Sequence, residues 1–512
     1  MSRALVGAAL LAFLVVALGP VIAMGLRVGA ADLTGVLTER TLALLGRTLL
    51  LGVSSAGIAL LLGVPFGFLT ARTDLPGAPA LRALGILPLL VPPLIMAMSW
   101  AGLTALRGGL ATILVLALST FPLVALYAAR AFERIDARRE EAALLAGGLA
   151  AVVRMELPLV LPSAACAACF AFVFAVNDFA VPDYVSSIGP KFSVYADEVF
   201  ASWRSDKAIG GAVAAALPLV LLTLLALVPA LELRRRQPLA CFDGDFRRPQ
   251  ALRLGRWALP ALGFVVALLT LSVFLPLGRL VWEAGGGASG FSLAHLVDSF
   301  ARALEVGRDN LRTSLAVAAA AALACVPVAL VLGHALERAA RLSSLGQLII
   351  VLPIAVPAIL FGIGNIALWN RPATAALYDS PAMIVVLLCG RFAPLAILSF
   401  AAAVAMLDPR LEEGARLCGA RPARRLFSIV APPLSRALVG GATLVFVLAM
   451  RELDAAILVP AANGTILFRL YNAVHFGRDD FVAALALLTV FFVLLPGLLW
   501  SLFGRGRLEV LP

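Results

Sequence analysis

The segment Asp408-Pro-Arg-Leu-Glu-Glu-Gly-Ala-Arg-Leu-Cys-Gly419 repeats a pattern found earlier in the chain, Asp136-Ala-Arg-Arg-Glu-Glu-Ala-Ala-Leu-Leu-Ala-Gly147. Both segments begin with an aspartate that can cap a helix, carry two glutamates in the early turns, and end at a glycine that tolerates positive φ. Each pattern predicts a short helix of about three turns. A charged helix that occurs once in each half of a very apolar chain indicates a pair of docking elements for a soluble partner protein.

The composition places this chain in a membrane. Hydrophobic residues make up 62% of the sequence and charged residues only 14%, a balance that excludes a water-soluble globular protein. A bilayer-spanning helix needs about 20 apolar residues. Such stretches lie at 4–28, 42–71, 83–103, 109–130, 159–181, 208–231, 257–281, 311–335, 345–369, 381–405, 434–458 and 482–503. The sequence therefore predicts an all-α polytopic membrane protein with about 12 transmembrane helices.

The basic residues follow a topology in which both termini are cytoplasmic. Arginines are dense in the loops predicted to lie inside, and the main exceptions are Lys191 and Lys207 in a predicted outside loop. The first apolar stretch is much longer than the core of a signal peptide, so we interpret it as a retained first helix. The net charge of +11 thus reflects topology, and no basic soluble module predicts nucleic-acid binding.

The repeat extends well beyond the paired glutamates. A shift of 274 residues lays the segment ending at Asp178 over the segment ending at Glu452, and a shift of 265 lays Pro88 and Pro92 over Pro353 and Pro357. Each half holds an even number of predicted spans, so the two six-helix repeats are parallel. We predict a first repeat at 1–232 with a docking loop at 132–158, a linker at 233–256, and a second repeat at 257–512 with a docking loop at 406–433.

These docking loops resemble the EAA loop of the permeases of bacterial binding-protein-dependent ABC importers. That motif reads Glu-Ala-Ala, three residues, Gly, and then an apolar-Pro pair. The first copy matches with Glu141-Ala142-Ala143, Gly147 and Leu157-Pro158, and the second with Glu413-Gly414-Ala415, Gly419 and Ala431-Pro432. Two departures stand out: the first copy is two residues shorter between its Gly and its Pro, and Gly414 replaces the first alanine of the second copy.

The resemblance implies a type I ABC importer permease fold in which the docking helices couple to an ATPase. The residues implied are Glu140, Glu141, Ala142, Ala143, Gly147, Glu412, Glu413, Gly414, Ala415 and Gly419. It also implies two partners, a homodimeric cytoplasmic ABC ATPase subunit and a periplasmic or lipid-anchored substrate-binding protein, and a location in the bacterial inner membrane. The chain is most similar to the iron(III) permeases, which makes ferric iron the expected cargo, with molybdate, thiamine, phosphonate and polyamine permeases as alternatives.

Several ionisable residues fall within predicted spans, where they normally face a cavity or a partner. Asp178, Arg451, Glu452 and Asp454 lie toward the outer ends of the fifth and eleventh predicted spans, and the repeat could set Asp178 opposite Glu452. Carboxylates at that mouth would suit a hard cation such as Fe³⁺. Local hydrogen bonding, with Glu452 paired to Arg451, is the other interpretation. Pro88, Pro92, Pro353 and Pro357 predict kinked helices, either along the pathway or with a packing role only.

Other classes of protein find less support. With only two lysines the chain has no P-loop, so ATP hydrolysis belongs to another polypeptide. The histidines at 295, 334 and 475 have no ligand spacing, and Cys166 and Cys169 have no second thiol pair, so we expect no metal, cofactor or enzyme site. A twelve-helix secondary transporter is the alternative from a different class, but the segment 71–77 lacks its Gly-rich loop.

Overall fold

The computed structural model describes residues 3–33, 36, 38–206, 209–235, 247, 250–287, 290–338, 343–474 and 479–503. Lys207, His475 and most of the predicted linker, at 236–246 and 248–249, lie outside these residues. Helices dominate, and the only sheet among the described residues is a short hairpin of β1 (Gly286–Gly287) and β2 (Gly290–Phe291).

The helices follow the chain in a regular order. The first half forms α1 (Arg3–Phe13), α2 (Gly19–Gly25), α3 (Glu39–Arg72), α4 (Ala78–Leu84), α5 (Leu87–Leu90), α6 (Pro93–Leu103), α7 (Gly108–Glu133), α8 (Ala137–Asn177), α9 (Ala180–Ser187), α10 (Tyr195–Asp206) and α11 (Ile209–Arg235). The second half forms α12 (Ala258–Leu269), α13 (Leu275–Gly285), α14 (Leu293–Arg338), α15 (Ser343–Ala355), α16 (Ala358–Trp369), α17 (Ala375–Tyr378), α18 (Ala382–Ala405), α19 (Pro409–Leu417), α20 (Pro422–Arg425), α21 (Ser435–Met450), α22 (Ile466–Val474) and α23 (Asp479–Phe503). Short 3₁₀ turns lie at Ala30–Leu33, Gly255–Trp257, Pro372–Thr374 and Pro460–Gly464.

The described helices confirm the predicted all-α membrane fold. Nine of them are long and apolar enough to cross a bilayer, and the number reaches twelve where each of three bent helix pairs counts as one span. The predicted span 311–335 is the middle of α14, which starts at Leu293, and the predicted span 434–458 ends early because α21 stops at Met450. The chain after Met450 forms turns, which places Arg451, Glu452 and Asp454 beyond the helix.

Prolines break two of the predicted spans at equivalent places. The segment Ala78–Leu90, which comprises α4 and α5, meets α6 at an angle of 98° beside Pro92, and α15 and α16 meet at 101° beside Pro357. Proline has no N–H to continue a helix and disfavours helical backbone in the residue before it. The kinks expected from Pro92 and Pro357 are therefore present, and both are sharp breaks rather than gentle bends.

The first helix of each half carries a π-helical segment, at Leu14–Leu18 between α1 and α2 and at Thr270–Phe274 between α12 and α13. In both cases a proline follows within two residues, Pro20 or Pro276. A proline ring clashes with the carbonyl group four residues earlier, and a wider turn relieves that clash. The π-helical segment and its proline recur at a spacing of 256 residues. This repeat is hard to see in the sequence because both segments are uniformly apolar.

Two compact units make up the structure, and neither coincides with one half of the chain. Unit 1 comprises Met1–Val36, Val199–Leu217 and Glu283–Pro512, and unit 2 comprises Leu37–Glu198 and Pro218–Trp282. Within unit 1, α2 packs on α16 so closely that a Cβ atom added at Gly364 would lie 2.7 Å from the Pro20 carbonyl oxygen. Within unit 2, α12 packs near α3 and α4. The first helix of each half thus belongs to the unit that holds most of the other half.

Candidate functional site

The first paired-glutamate segment folds as a short helix at 137–146, here called the first acid-pair helix. Asp136 caps it by accepting a hydrogen bond from the Arg138 backbone N–H at 2.8 Å. The helix stops where Gly148 has φ 63° and ψ −155°, a conformation open only to glycine. Residues 149–177 of α8 continue in a new direction. The cap and the glycine stop predicted from the sequence are both present.

The second acid-pair helix is α19, and it is built in the same way. The Asp408 carboxylate accepts from the Arg410 N–H at 2.9 Å, and Pro409 occupies the first helical position. Gly419 has φ 75°, and the Ala420 N–H donates to the Ala415 carbonyl at 3.0 Å. This bond is the signature of a glycine-terminated Schellman cap. Each half therefore presents a stiff helix of similar length with defined ends.

The first glutamate of the first acid-pair helix points into unit 2. Glu140 and Glu156 both bind the Arg72 guanidinium at the end of α3, with 3.1 Å between Arg72 Nη2 and Glu156 Oε1. All three side chains are buried. Burial strengthens the attraction, but it also makes the loss of any one partner costly. Arg72 therefore fixes the first acid-pair helix to α3.

Glu412 plays the same part in unit 1. It accepts from Arg338 Nε at 2.8 Å at the end of α14, and it lies 2.7 Å from His334 Nε2. Burial raises the pKa of the Glu412 carboxyl, but the hydrogen bonds and charges of His334 and Arg338 outweigh it, so the pKa lies below its usual value. The ionised carboxylate can only accept, which assigns the proton of the imidazole to Nε2. His334 is thus part of the site rather than a scattered packing residue.

The second glutamate of each pair stays exposed, as do Ala142 and Gly414, while Ala143 and Ala415 are half-buried. Leucine side chains beside them are exposed to an unusual degree, 90% for Leu145 and 89% for Leu417. The prediction treated both glutamates of each pair alike, whereas the structure divides them into one anchor and one exposed acid. The sequence analysis did not identify these two leucines. They occupy equivalent positions in the two copies of the repeat, 272 residues apart, which was a usable signal.

The candidate pathway residues make local hydrogen bonds. Asp178 Oδ1 accepts from the Val181 N–H at 2.9 Å, and Glu452 Oε1 accepts from the Ala455 N–H at 2.8 Å. Each acid therefore caps the turn that follows its helix. Glu452 also accepts from Arg391 Nε at 3.2 Å, a cation that the sequence analysis did not pair with it. Arg451 is the C-cap of α21, and Asp454 lies half-buried in the next turn.

The first of the two proline breaks borders apolar space. Pro88 and Val91 line a narrow, mostly apolar cleft in unit 2 together with Ser272 and Pro276 of the α12–α13 helix. Pro353 lies inside α15 and Pro357 at the start of α16, at the equivalent break of unit 1. Among the described residues, no group of three or more His, Cys, Asp and Glu side chains could hold a metal ion.

A doubly repeated helical membrane protein with one capped acid-pair helix in each half is the architecture of a transport permease. The chain belongs to the family of binding-protein-dependent transport system inner membrane components, whose sequence model matches residues 63–236 and 325–506. It is thus an ABC importer permease, a transport subunit rather than an enzyme, which removes the secondary transporter as an alternative. The match starts twice, once in each half, as the predicted duplication requires.

A curated relative is similar over part of the chain. The molybdate/tungstate transport system permease protein WtpB of Pyrococcus abyssi (strain GE5 / Orsay) is 32% identical over 152 residues. That alignment covers 30% of this chain and 60% of the relative. The relative's name gives molybdate and tungstate as its cargo.

Proposed function

We propose that the two acid-pair helices of this permease dock a homodimeric cytoplasmic ABC ATPase. The observation that carries the proposal is the matched exposure of Leu145 (90%) and Leu417 (89%) on two short helices whose neighbouring glutamates, Glu140 and Glu412, are tied down. An exposed leucine next to an exposed glutamate fits a groove with an apolar floor and a basic rim. Two identical ATPase subunits provide two such grooves.

The anchors supply a route from the ATPase to the spans. Glu140 connects the first acid-pair helix to the end of α3, and Glu412 connects α19 to the end of α14. Closure of the ATPase on ATP moves both docked helices, and the ion pairs transmit that movement to α3 and α14. The spans then open the pathway toward the outer side, where a periplasmic or lipid-anchored binding protein delivers the cargo. The chain lies in the bacterial inner membrane with both termini inside.

The cargo we propose is a small inorganic ion, either ferric iron or molybdate and tungstate. The resemblance of the sequence to iron(III) permeases supports iron. The curated relative supports the oxyanions. The carboxylates expected to attract a cation support iron only weakly, because Asp178 caps a turn and Glu452 is neutralised by Arg391. The two cargoes are therefore tested side by side.

Charge reversal tests the docking proposal. We expect Glu141→Lys with Glu413→Lys to uncouple ATP hydrolysis from uptake, because the basic rim of the groove would repel both helices. Leu145→Asp with Leu417→Asp should weaken ATPase association at least about 30-fold, as for the loss of an interface hot spot. Co-purification of the solubilised chain with its ATPase measures the first step, and uptake into vesicles measures the second.

The matched control is Glu337→Lys, which reverses an exposed charge near the end of α14 outside both acid-pair helices. It should leave association and uptake intact. Wild-type transport by the Glu141→Lys/Glu413→Lys variant would contradict the docking proposal. For the cargo, vesicles loaded with ATP and supplied with the cognate binding protein are given labelled ferric iron or labelled molybdate, and ATP-dependent accumulation of one identifies it.

A further inference from the structure

The linker between the two halves contacts the first acid-pair helix. The described part of that linker is Arg247 together with 250–254, here called the strap. The Arg247 carbonyl accepts a hydrogen bond from the Ala137 N–H at 3.0 Å, at the first residue of the acid-pair helix. The Leu252 N–H donates to the Arg72 carbonyl at 2.7 Å. The strap therefore joins the beginning of the acid-pair helix to the end of α3.

The strap is bound like an added β-strand. Leu252 forms a parallel bridge with Thr73, its carbonyl accepts from the Asp74 N–H at 3.1 Å, and the Leu254 N–H donates to Asp74 Oδ1 at 2.9 Å. Leu252 and Leu254 are buried while Arg253 between them is exposed. This alternation is the period of a strand with one covered face. A segment that only had to connect two domains would need none of these bonds.

Arg72 joins the strap to the anchor of the helix. Its Nη1 donates to the Gln250 carbonyl at 3.1 Å, while its Nη2 binds Glu140 and Glu156. One guanidinium thus connects the first acid-pair helix, the rest of α8 (residues 149–177) and the strap. Because the guanidinium is planar and its donors have fixed directions, it sets the direction of these hydrogen bonds as well as their lengths.

The second acid-pair helix cannot be held in the same way. Its first residue is Pro409, at the place where the first helix has Ala137. Proline has no N–H, so the bond that Ala137 donates to the strap has no counterpart in α19. The two docking helices are similar in sequence but differ in how their first turns are restrained.

We propose that the strap is a positioning element that holds the first ATPase-docking helix in place, so that the two docking helices of this fused permease are mechanically unequal. The proposal rests on the docking function proposed above. The first helix moves with α3 as one body. Arg338 holds α19 through Glu412 and through the Leu407 carbonyl before its cap, but the first residue of α19 has no N–H for a strap, so this helix adjusts to its groove. The linker therefore has a coupling role in addition to joining the halves.

Hydrogen–deuterium exchange on the full-length chain tests this inference without the ATPase. Leu252→Pro removes the N–H that donates to Arg72, and we expect amide exchange in 137–146 to rise roughly tenfold while exchange in 409–417 stays unchanged. Leu252→Ile keeps the N–H and should behave as the wild type. Asp74→Ala removes one acceptor and is the milder variant, with an expected rise of roughly threefold to tenfold. Equal exchange in wild type and both disruptive variants would overturn the proposal.

A protease site inserted between residues 240 and 241 separates a strap from a tether. Cutting there breaks the covalent connection and leaves the strap attached to α12, so exchange in 137–146 and coupled uptake should both persist. Loss of coupling on cutting, with normal coupling in Leu252→Pro, would show that the linker acts only as a tether. If the wild-type chain fails to bind any ATPase, the docking function fails, whereas the exchange result still decides the strap.

Discussion

At the scale of single residues, Arg72 connects several segments of unit 2. It is buried, binds Glu140 and Glu156, and donates to the strap. We expect Arg72→Met to lower the free energy of unfolding by about 3–5 kcal/mol, because two carboxylates would remain buried without a cation. Thermal unfolding of the detergent-solubilised chain measures the loss. Adding Glu140→Gln and Glu156→Gln to that variant should recover part of it.

Arg82→Met provides the comparison, since Arg82 binds Glu133 in a partly exposed pair. A loss of about 0–1 kcal/mol is expected there. Equal losses for the two arginines would show that burial of the Arg72 cluster has no special energetic role.

A second residue makes stability depend on pH. Burial raises the pKa of Asp197 to about 7, and the Asp183 and Asp178 charges add to this, while the Val194 N–H and Lys191 oppose it. The folded state therefore binds the proton more tightly than the unfolded state. The stabilisation that comes from protonation of Asp197 in the folded state is complete below the pKa of this group in the unfolded chain, about 4. It is lost as the pH rises through about 7.

Asp197→Asn should remove that dependence. We expect the wild type to be less stable at pH 8 than at pH 5 by a few kcal/mol, on the order given by the shift, and the variant to be equally stable at both. Melting temperatures at the two pH values measure this. Glu198→Gln, which changes the neighbouring acid paired with Arg40, should keep the wild-type slope, and a wild type without a slope would refute the argument.

Sequence reasoning identified Glu140, Glu412 and Glu452, but neither Glu156 nor the basic partners of these acids. Glu156 stands in an apolar run and Arg72 ends one, which signals that each needs a partner, but 84 residues separate them. Periodicity shows which face a residue occupies and says nothing about which distant helix covers it. His334 and Arg391 were missed for the same reason, because the groups that they bind, Glu412 and Glu452, lie 78 and 61 residues further on.

At the scale of elements, the glycines of α19 have opposite roles. Gly414 lies inside the helix with open space around it, and Gly419 ends the helix at φ 75°. We expect Gly414→Ala to stabilise α19 by about 0.5–1 kcal/mol and Gly419→Ala to destabilise its end by about 1–2 kcal/mol. Amide exchange across 409–417 measures both. The two changes add the same methyl group, so identical effects would rule out backbone conformation as the cause.

Elements with local signals were predictable. The caps at Asp136 and Asp408, the glycine stops and the breaks at Pro92 and Pro357 follow from chemistry within a few residues, and the structure has them. The strap was not predictable, because its alternation covers only a few residues beside prolines and arginines, and its partner strand is the single residue Thr73. The π-helical segments also lack a signal beyond the proline that follows them.

At the scale of the whole molecule, Cys418 offers a test of topology. It is the exposed thiol of the described cysteines and sits at the end of α19. In a Cys241→Ser background, a membrane-impermeant maleimide should label it in inside-out vesicles and not in intact cells or right-side-out vesicles. Bound ATPase should protect it, as expected for a residue in the docked surface. Labelling from the outer side would reverse the topology that we propose.

The number of spans and the duplication could be read from the sequence, because length, hydropathy and repeated motifs are properties of the chain alone. The grouping of helices into units could not. The predicted repeats at 1–232 and 257–512 describe the order of the chain, whereas the compact units place α1 and α2 with Glu283–Pro512 and α12 with Leu37–Glu198. Apolar side chains on α1 suit lipid and protein neighbours equally well, so composition does not select the neighbour.

The close packing of the first helix on two glycines of the second half has a consequence for biogenesis. Carbonyl groups of Val16 and Pro20 lie against Gly390 and Gly364, which the ribosome adds about 370 and about 340 residues later. At translation rates of roughly 5–20 residues per second, these intervals are roughly 20 to 75 seconds. During this time the first helix lies in lipid, with its backbone hydrogen bonds made within the helix. The face that later contacts Gly364 and Gly390 has no protein partner yet. Faults in membrane insertion should therefore leave this helix as an early, proteolytically vulnerable fragment of the nascent chain.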